Sequence, residues 1–135
     1  MIKNKFNLRN VIAIVICLSV TTIFSGCNKE NEEPEKFTLV GKTYAAQAYR
    51  SVVSGDWVYW VYRFTSSNST ERTARESNPQ GSMIGTPEIY TYELDYPNLT
   101  IWNANGTQLL PFTFIDENTI RFTDSRGVVY EYIKQ

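Results

Sequence analysis

The chain has 135 residues, no histidine, two cysteines (Cys17 and Cys27) and a formal net charge of −1. Everything after residue 27 therefore lacks the groups needed for disulfide stapling, thiol or Ser-His-Asp catalysis and the common zinc sites. The near balance of charge also provides no basic field for nucleic acid or anionic lipid.

The first ten residues carry Lys3, Lys5 and Arg9 without an acid, and an apolar run over 11–24 follows, ending in Ser25-Gly26-Cys27. A charged start, a short apolar core and a small-residue cleavage site are the three parts of a secretory signal. As a helix the apolar run reaches only ~21 Å, short of the ~30 Å hydrocarbon core of a bilayer. Residues 1–26 are thus expected to be a signal-peptide helix rather than a permanent span. Ser25-Gly26-Cys27 resembles the lipobox of bacterial lipoproteins, which implies cleavage before Cys27 and acylation of that cysteine. Two or more acyl chains hold a protein stably on a membrane where one does not.

Residues 27–36 then read as an acylated cysteine and a flexible acidic tether, polar and broken by Pro34. Asn28 stands where an inner-membrane retention signal would have Asp, which favours the outer membrane. Lys29-Glu30 with Glu32-Glu33 resembles the acidic export signal of surface-displayed lipoproteins in the Bacteroidetes group. The resemblance implies lipid anchoring at the outer membrane, on the cell surface. With residues 1–26 removed, the mature chain would have 10 basic and 14 acidic residues.

Residues 37–135 are enough for one core and too few for two. Strands are expected at 42–51, 57–66, 70–76, 86–96, 98–103, 108–115, 119–124 and 128–134. In 86–96, Tyr90, Tyr92, Leu94 and Tyr96 alternate with Thr91, Glu93 and Asp95; Ile120 and Phe122 alternate with Thr119 and Arg121. Such period-two alternation marks strands with one buried face. Turn clusters punctuate them at Ser54-Gly55-Asp56, Asn103-Ala104-Asn105-Gly106, Asp116-Glu117-Asn118 and Ser125-Arg126-Gly127. Pro111 requires an edge or a bulge. The polar stretch 66–85, with Pro79 and Gly81, reads as an extended hairpin or a loop. Connections of a few residues exclude parallel neighbours. The fold class is all-β, a small antiparallel up-and-down barrel or half-barrel of seven or eight strands, since closure removes exposed edges.

Leu39-Val40-Gly41-Lys42-Thr43-Tyr44 resembles the Gly-x-[Trp/Tyr]-type start of lipocalin-like small lipoproteins. The run 119–123 followed by 127–132 resembles their closing strand pair. The resemblance implies a lipocalin-like domain over 37–135 and transfers no ligand residue.

Glu93 and Asp95 are spaced ~6.8 Å apart on one strand face, inside the ~6.5–9.5 Å window of inverting glycosidases. Their parity opposes that of the tyrosines, so they are expected to face water, where no burial raises a carboxyl for acid catalysis. Asp116-Glu117-Asn118 and Asp124-Ser125 lack the ligand spacing of a calcium loop and read as turns. Strand 57–65 is apolar on both faces: Val58, Trp60, Tyr62 and Phe64 on one, Trp57, Tyr59 and Val61 on the other. Such a strand is covered twice or exposes a patch. Trp57, Tyr59, Trp60 and Trp102 are accordingly the candidate residues for a ligand or partner. The expectation is a lipid-anchored, non-catalytic binding module for a small apolar ligand, glycan or peptide. The alternative is a structural subunit docking onto another envelope protein; no cofactor, metal or nucleic acid is implied.

Overall fold

Eight strands follow one another along the chain, each bonded to the next: β1 (Thr43–Arg50), β2 (Trp57–Phe64), β3 (Ser69–Glu76), β4 (Met83–Asp95), β5 (Asn98–Trp102), β6 (Gln108–Asp116), β7 (Thr119–Thr123) and β8 (Val129–Lys134). The computed structural model describes residues 36–135; the expected signal segment, Cys27 and the tether up to residue 35 lie outside the described residues. The chain divides into Met1–Lys36 and Phe37–Gln135, and all eight strands belong to the second unit. β8 pairs back onto β1, so the antiparallel meander closes into a barrel rather than stopping as a half-barrel. The stretch 66–85 resolves into β3, a short turn and the start of β4.

Alternation sorts side chains as it should in a half-buried strand. Tyr44, Val58, Tyr62, Phe64, Tyr90, Tyr92, Leu99, Ile101, Phe112, Phe114, Ile120 and Tyr132 are buried. The interior is filled by rings meeting edge to face, the arrangement their quadrupoles favour. Phe112 stands with its centroid 5.6 Å from Tyr62 and 5.4 Å from Tyr132, and Phe64 lies 4.9 Å from Tyr92. Tyr96, whose parity points inward, lies past the end of β4 and is half-exposed, lying 5.5 Å from Phe114.

One end of the barrel is sealed. Leu39 is buried there, and Phe37 lies 5.3 Å from Tyr96 and 5.2 Å from Phe114. The Gly41 N–H donates to the Phe64 carbonyl at 2.8 Å, which ties this lead-in segment to the end of β2. The Tyr44 hydroxyl donates to the Glu117 carbonyl, also at 2.8 Å.

The other end is parted. β5 pairs with β4 only along residues 91–95, and β8 pairs with β1 only at Tyr44↔Lys134 and Ala45↔Ile133. Beyond these short seams the wall consists of two four-stranded leaves, β1–β4 and β5–β8. Within each leaf the ladders continue, to Arg50↔Trp57 and Arg75↔Met83 in the first and Thr123↔Val129 in the second. Pro111 sits beside the register shift of β6 and past the last pairing of β7, where its missing N–H removes no β7 bond.

Residues 77–82 fold back over the outside of the first leaf. The Ser77 N–H donates to the Trp57 carbonyl at 2.8 Å, Arg75 Nη1 donates to the Gly81 carbonyl at 3.1 Å, and Gln80 Nε2 donates to Gln135 Oε1 at 3.2 Å. Val61 and Thr73 are buried although they point away from the barrel interior. Pro79 and Gln80 line the groove above them.

Candidate functional site

Where the leaves part, a cleft of about 190 Å³ remains above the packed rings. Trp60, Tyr62 and Arg72 form its wall on the first leaf. Leu110, Phe122, Tyr130 and Tyr132 face them from the second, with Asp124 at the rim. A second cleft, of about 340 Å³, runs along the inner side of the first leaf past Tyr49, Ala74, Ile84, Thr86 and Glu88, and shares Trp60 and Arg72 with the first. The strand parity that buries Tyr62 and Phe64 also turns Trp60 inward. That of Tyr90 and Tyr92 turns Glu88 inward, and register sets Glu88 opposite Arg72.

Arg72 is the cation at the centre. Its guanidinium lies 4.6 Å from the Trp60 ring centroid and 5.0 Å from that of Tyr90, both in cation–π range. Nε donates to Glu88 Oε2 at 2.9 Å, and Nη2 donates to the same oxygen. The Tyr90 hydroxyl donates to that oxygen as well, at 2.7 Å. Nη1 meets no acceptor among the described residues. The Tyr90 hydroxyl and then the Arg72 guanidinium hold the Glu88 carboxyl below the usual carboxylate range. Burial pushes the Tyr62 hydroxyl up to about 12 against the pull of Arg72, and pushes Tyr132 further in the same direction. These hydroxyls stay neutral at physiological pH.

Asp124 is consumed by its own turn. Oδ1 accepts the Arg126 and Val128 N–H groups at 2.9 Å each, and Oδ2 accepts Arg126 Nε at 3.0 Å and Nη2 at 2.8 Å. Desolvation opposes its charge, yet Arg126 and the two N–H groups together outweigh it and hold the carboxyl low. Phe122 and Tyr130 stack beside it on the second leaf, 6.2 Å apart and 21° from parallel.

The four aromatic candidates from the sequence do not share one surface. Trp60 faces the clefts, with Arg72 on its ring and Tyr49 6.1 Å away. Trp57 is on the outer side, 38% exposed, with the Arg50 guanidinium 5.1 Å from its ring. Tyr59, half-buried, is on the same side between its register partners Gln47 and Arg75. Trp102 faces outward on β5, separated from β2 by β3 and β4, so a platform of Trp57, Tyr59 and Trp102 does not form. Cys27 lies outside the described residues. Glu93 and Asp95 are exposed, and Asp116 accepts the Asn118 N–H at 2.8 Å within its turn.

Arg72, Glu88, Phe122 and Tyr130 were not among the sequence candidates. Glu88 was legible, because stepping the Tyr92–Tyr90 parity back by two lands on it. Arg72 was not, because β3 reads Ser-Thr-Glu-Arg-Thr-Ala-Arg-Glu and shows no apolar face. No family model, curated protein or solved structure matches the chain.

Proposed function

We propose that this chain is a non-catalytic binding module, held at the outer membrane on the cell surface by lipid on Cys27, whose inter-leaf cleft takes a small ligand. The observation that carries the reading is the cleft itself, a ring-lined hollow around one guanidinium at the parted end of an otherwise filled barrel. Sites for small molecules combine apolar walls with a few fixed polar groups in this way. The carboxylates at the two clefts, Glu88 and Asp124, are both stabilised as anions. That opposes proton donation near neutral pH and supports binding over acid catalysis.

The test is extraction and mass spectrometry of small molecules that co-purify with the full chain from its native envelope. Leu110→Trp fills the cleft and is expected to empty the protein of a compound that the wild type retains. Equal retention by both forms, or none by either, would count against the cleft. Anchoring is checked separately: Cys27→Ala should move the chain out of the membrane fraction and abolish fatty-acid labelling.

A second reading, docking onto another envelope protein, is favoured by Val52 and Val53, which are 101% and 94% exposed at the β1–β2 turn. Exchanging both for Ser would remove a co-purifying protein under that reading and leave the small-molecule content unchanged.

A further inference from the structure

We propose that the inter-leaf cleft selects a small planar carboxylate, received end-on by the Nη1/Nη2 edge of Arg72; the inference rests on the cleft being the binding site. A guanidinium has five N–H donors in a rigid plane and matches a carboxylate through two parallel bonds. Glu88 uses Nε and one position on Nη2, and Nη1 has no acceptor among the described residues. Three N–H groups are therefore not taken up by Glu88 on a side chain that lines the cleft, and the neutral Tyr62 and Tyr90 hydroxyls beside the guanidinium are the groups an incoming carboxylate would displace from them. Trp60 and Tyr90 clamp the guanidinium and fix its plane, so little freedom is lost when a second anion arrives.

The rest of the cleft decides the ligand's body. Opposite Arg72 stand Phe122, Tyr130 and Leu110, which suit a flat apolar ring better than a hydrated sugar. The Trp60 face that a sugar would stack on already carries Arg72. The cleft's volume, about 190 Å³, admits one ring with its carboxylate. Asp124 does not repel such a ligand strongly, because Arg126 and two N–H groups already neutralise it. Burial keeps the Tyr62 and Tyr132 hydroxyls uncharged, and the Tyr130 hydroxyl also lines the cleft. Glu88 is the competitor. It holds Arg72 in place when the cleft is empty, and its charge opposes the incoming anion.

The experiment compares 4-hydroxybenzoate with its neutral amide, 4-hydroxybenzamide, by saturation-transfer NMR titration on the full chain in lipid nanodiscs, with empty discs as the blank. The carboxylate is expected to bind about tenfold more tightly, the difference a charge-assisted bond supplies. Arg72→Gln should erase or reverse that preference, read as the ratio of the two affinities, because Glu88 then faces the probe uncompensated. If Arg72→Gln does not fold, Glu88→Gln serves, since Glu88 is on the exposed side of the pair. It should strengthen carboxylate binding several-fold and leave the amide alone. Equal binding of the two probes, or a preference that survives Arg72→Gln, overturns the carboxylate inference and leaves the cleft as a site. No binding of either probe at millimolar concentration overturns both.

Discussion

Phe112 is the residue on which three rings converge: Tyr62, Tyr132 and Phe122, the last at 5.4 Å. It is almost wholly buried, and neighbours on three different strands cannot collapse together to fill its volume. Phe112→Ala is expected to cost ~3–5 kcal/mol, read from urea unfolding. The buried tyrosines around it make a second prediction. Burial pushes Tyr44, Tyr62 and Tyr90 up from 10.0 to about 12, with nearby acids adding to the shift at Tyr44 and Tyr90. The folded state then holds these protons more tightly than the unfolded chain does. Their contribution to stability is complete below pH 10 and is lost as the pH rises from 10 to 12. Part of the tyrosinate absorbance should therefore appear only above pH 10, together with loss of the fold. A single titration of all nine tyrosines near pH 10 with the fold intact would contradict this.

At the level of elements, the parted end exposes strand edges that a closed wall would hide. Residues 83–90 of β4 and the upper half of β1 are bonded on one side only. Such edges invite pairing between copies, and bulges and proline are the usual protection. Both edges carry them: β1 shifts register between Gln47 and Tyr49, and β4 shifts opposite Arg72 and Ala74. The Tyr92 N–H donates toward β3, to the Asn68 carbonyl at 2.9 Å, so Ile89, of opposite parity, turns its backbone groups to the open side, and Pro87 follows inside the register shift of the same edge. Pro87 has no N–H to offer there. Pro87→Thr should restore a donor and raise self-association in sedimentation velocity without changing the monomer's circular dichroism. The turn 77–82 depends on a different constraint. A Cβ on Gly81 would stand 1.8 Å from the Glu76 carbonyl oxygen, a backbone atom that cannot swing aside. Gly81→Ala is expected to displace the turn from Val61 and Thr73, costing on the order of 2 kcal/mol in thermal or urea unfolding.

For the molecule as a whole, the eight strands and their up-and-down order were readable because turn clusters and alternation agree along most of 37–135. Tyr90, Tyr92 and Leu94 announced their inward face, and Ile120 announced its own. The cost of leaving edges open favoured closure but left a half-barrel as the other outcome, and the sequence did not reveal that the seams run only part of the way. Seam length depends on how far each strand outruns its neighbour, and β4 has 13 residues against 5 in β5. No local pattern encodes that mismatch. The site was read only through Trp60, because aromatic residues draw attention in a strand while Arg72 in a polar one does not. Trp57 and Trp102 looked equivalent to Trp60 in type, and only the register assigns them to separate outer faces.

The sealed end has a topological consequence. The Gln135 N–H donates to the Thr43 carbonyl at 2.9 Å, and Phe37 packs against Phe114 at the same end of the barrel. Residues 37 and 135 thus both lie at the sealed end of the barrel. Joining residue 135 to residue 37 through a few glycines and reopening the ring between Val53 and Ser54, at an exposed turn, should give a circular permutant with the same barrel. In such a molecule the new chain ends, and any handle fused to them, would lie at the parted end beside the cleft. Retained binding of the same compound would show that the orientation of the attachment is a matter of access alone.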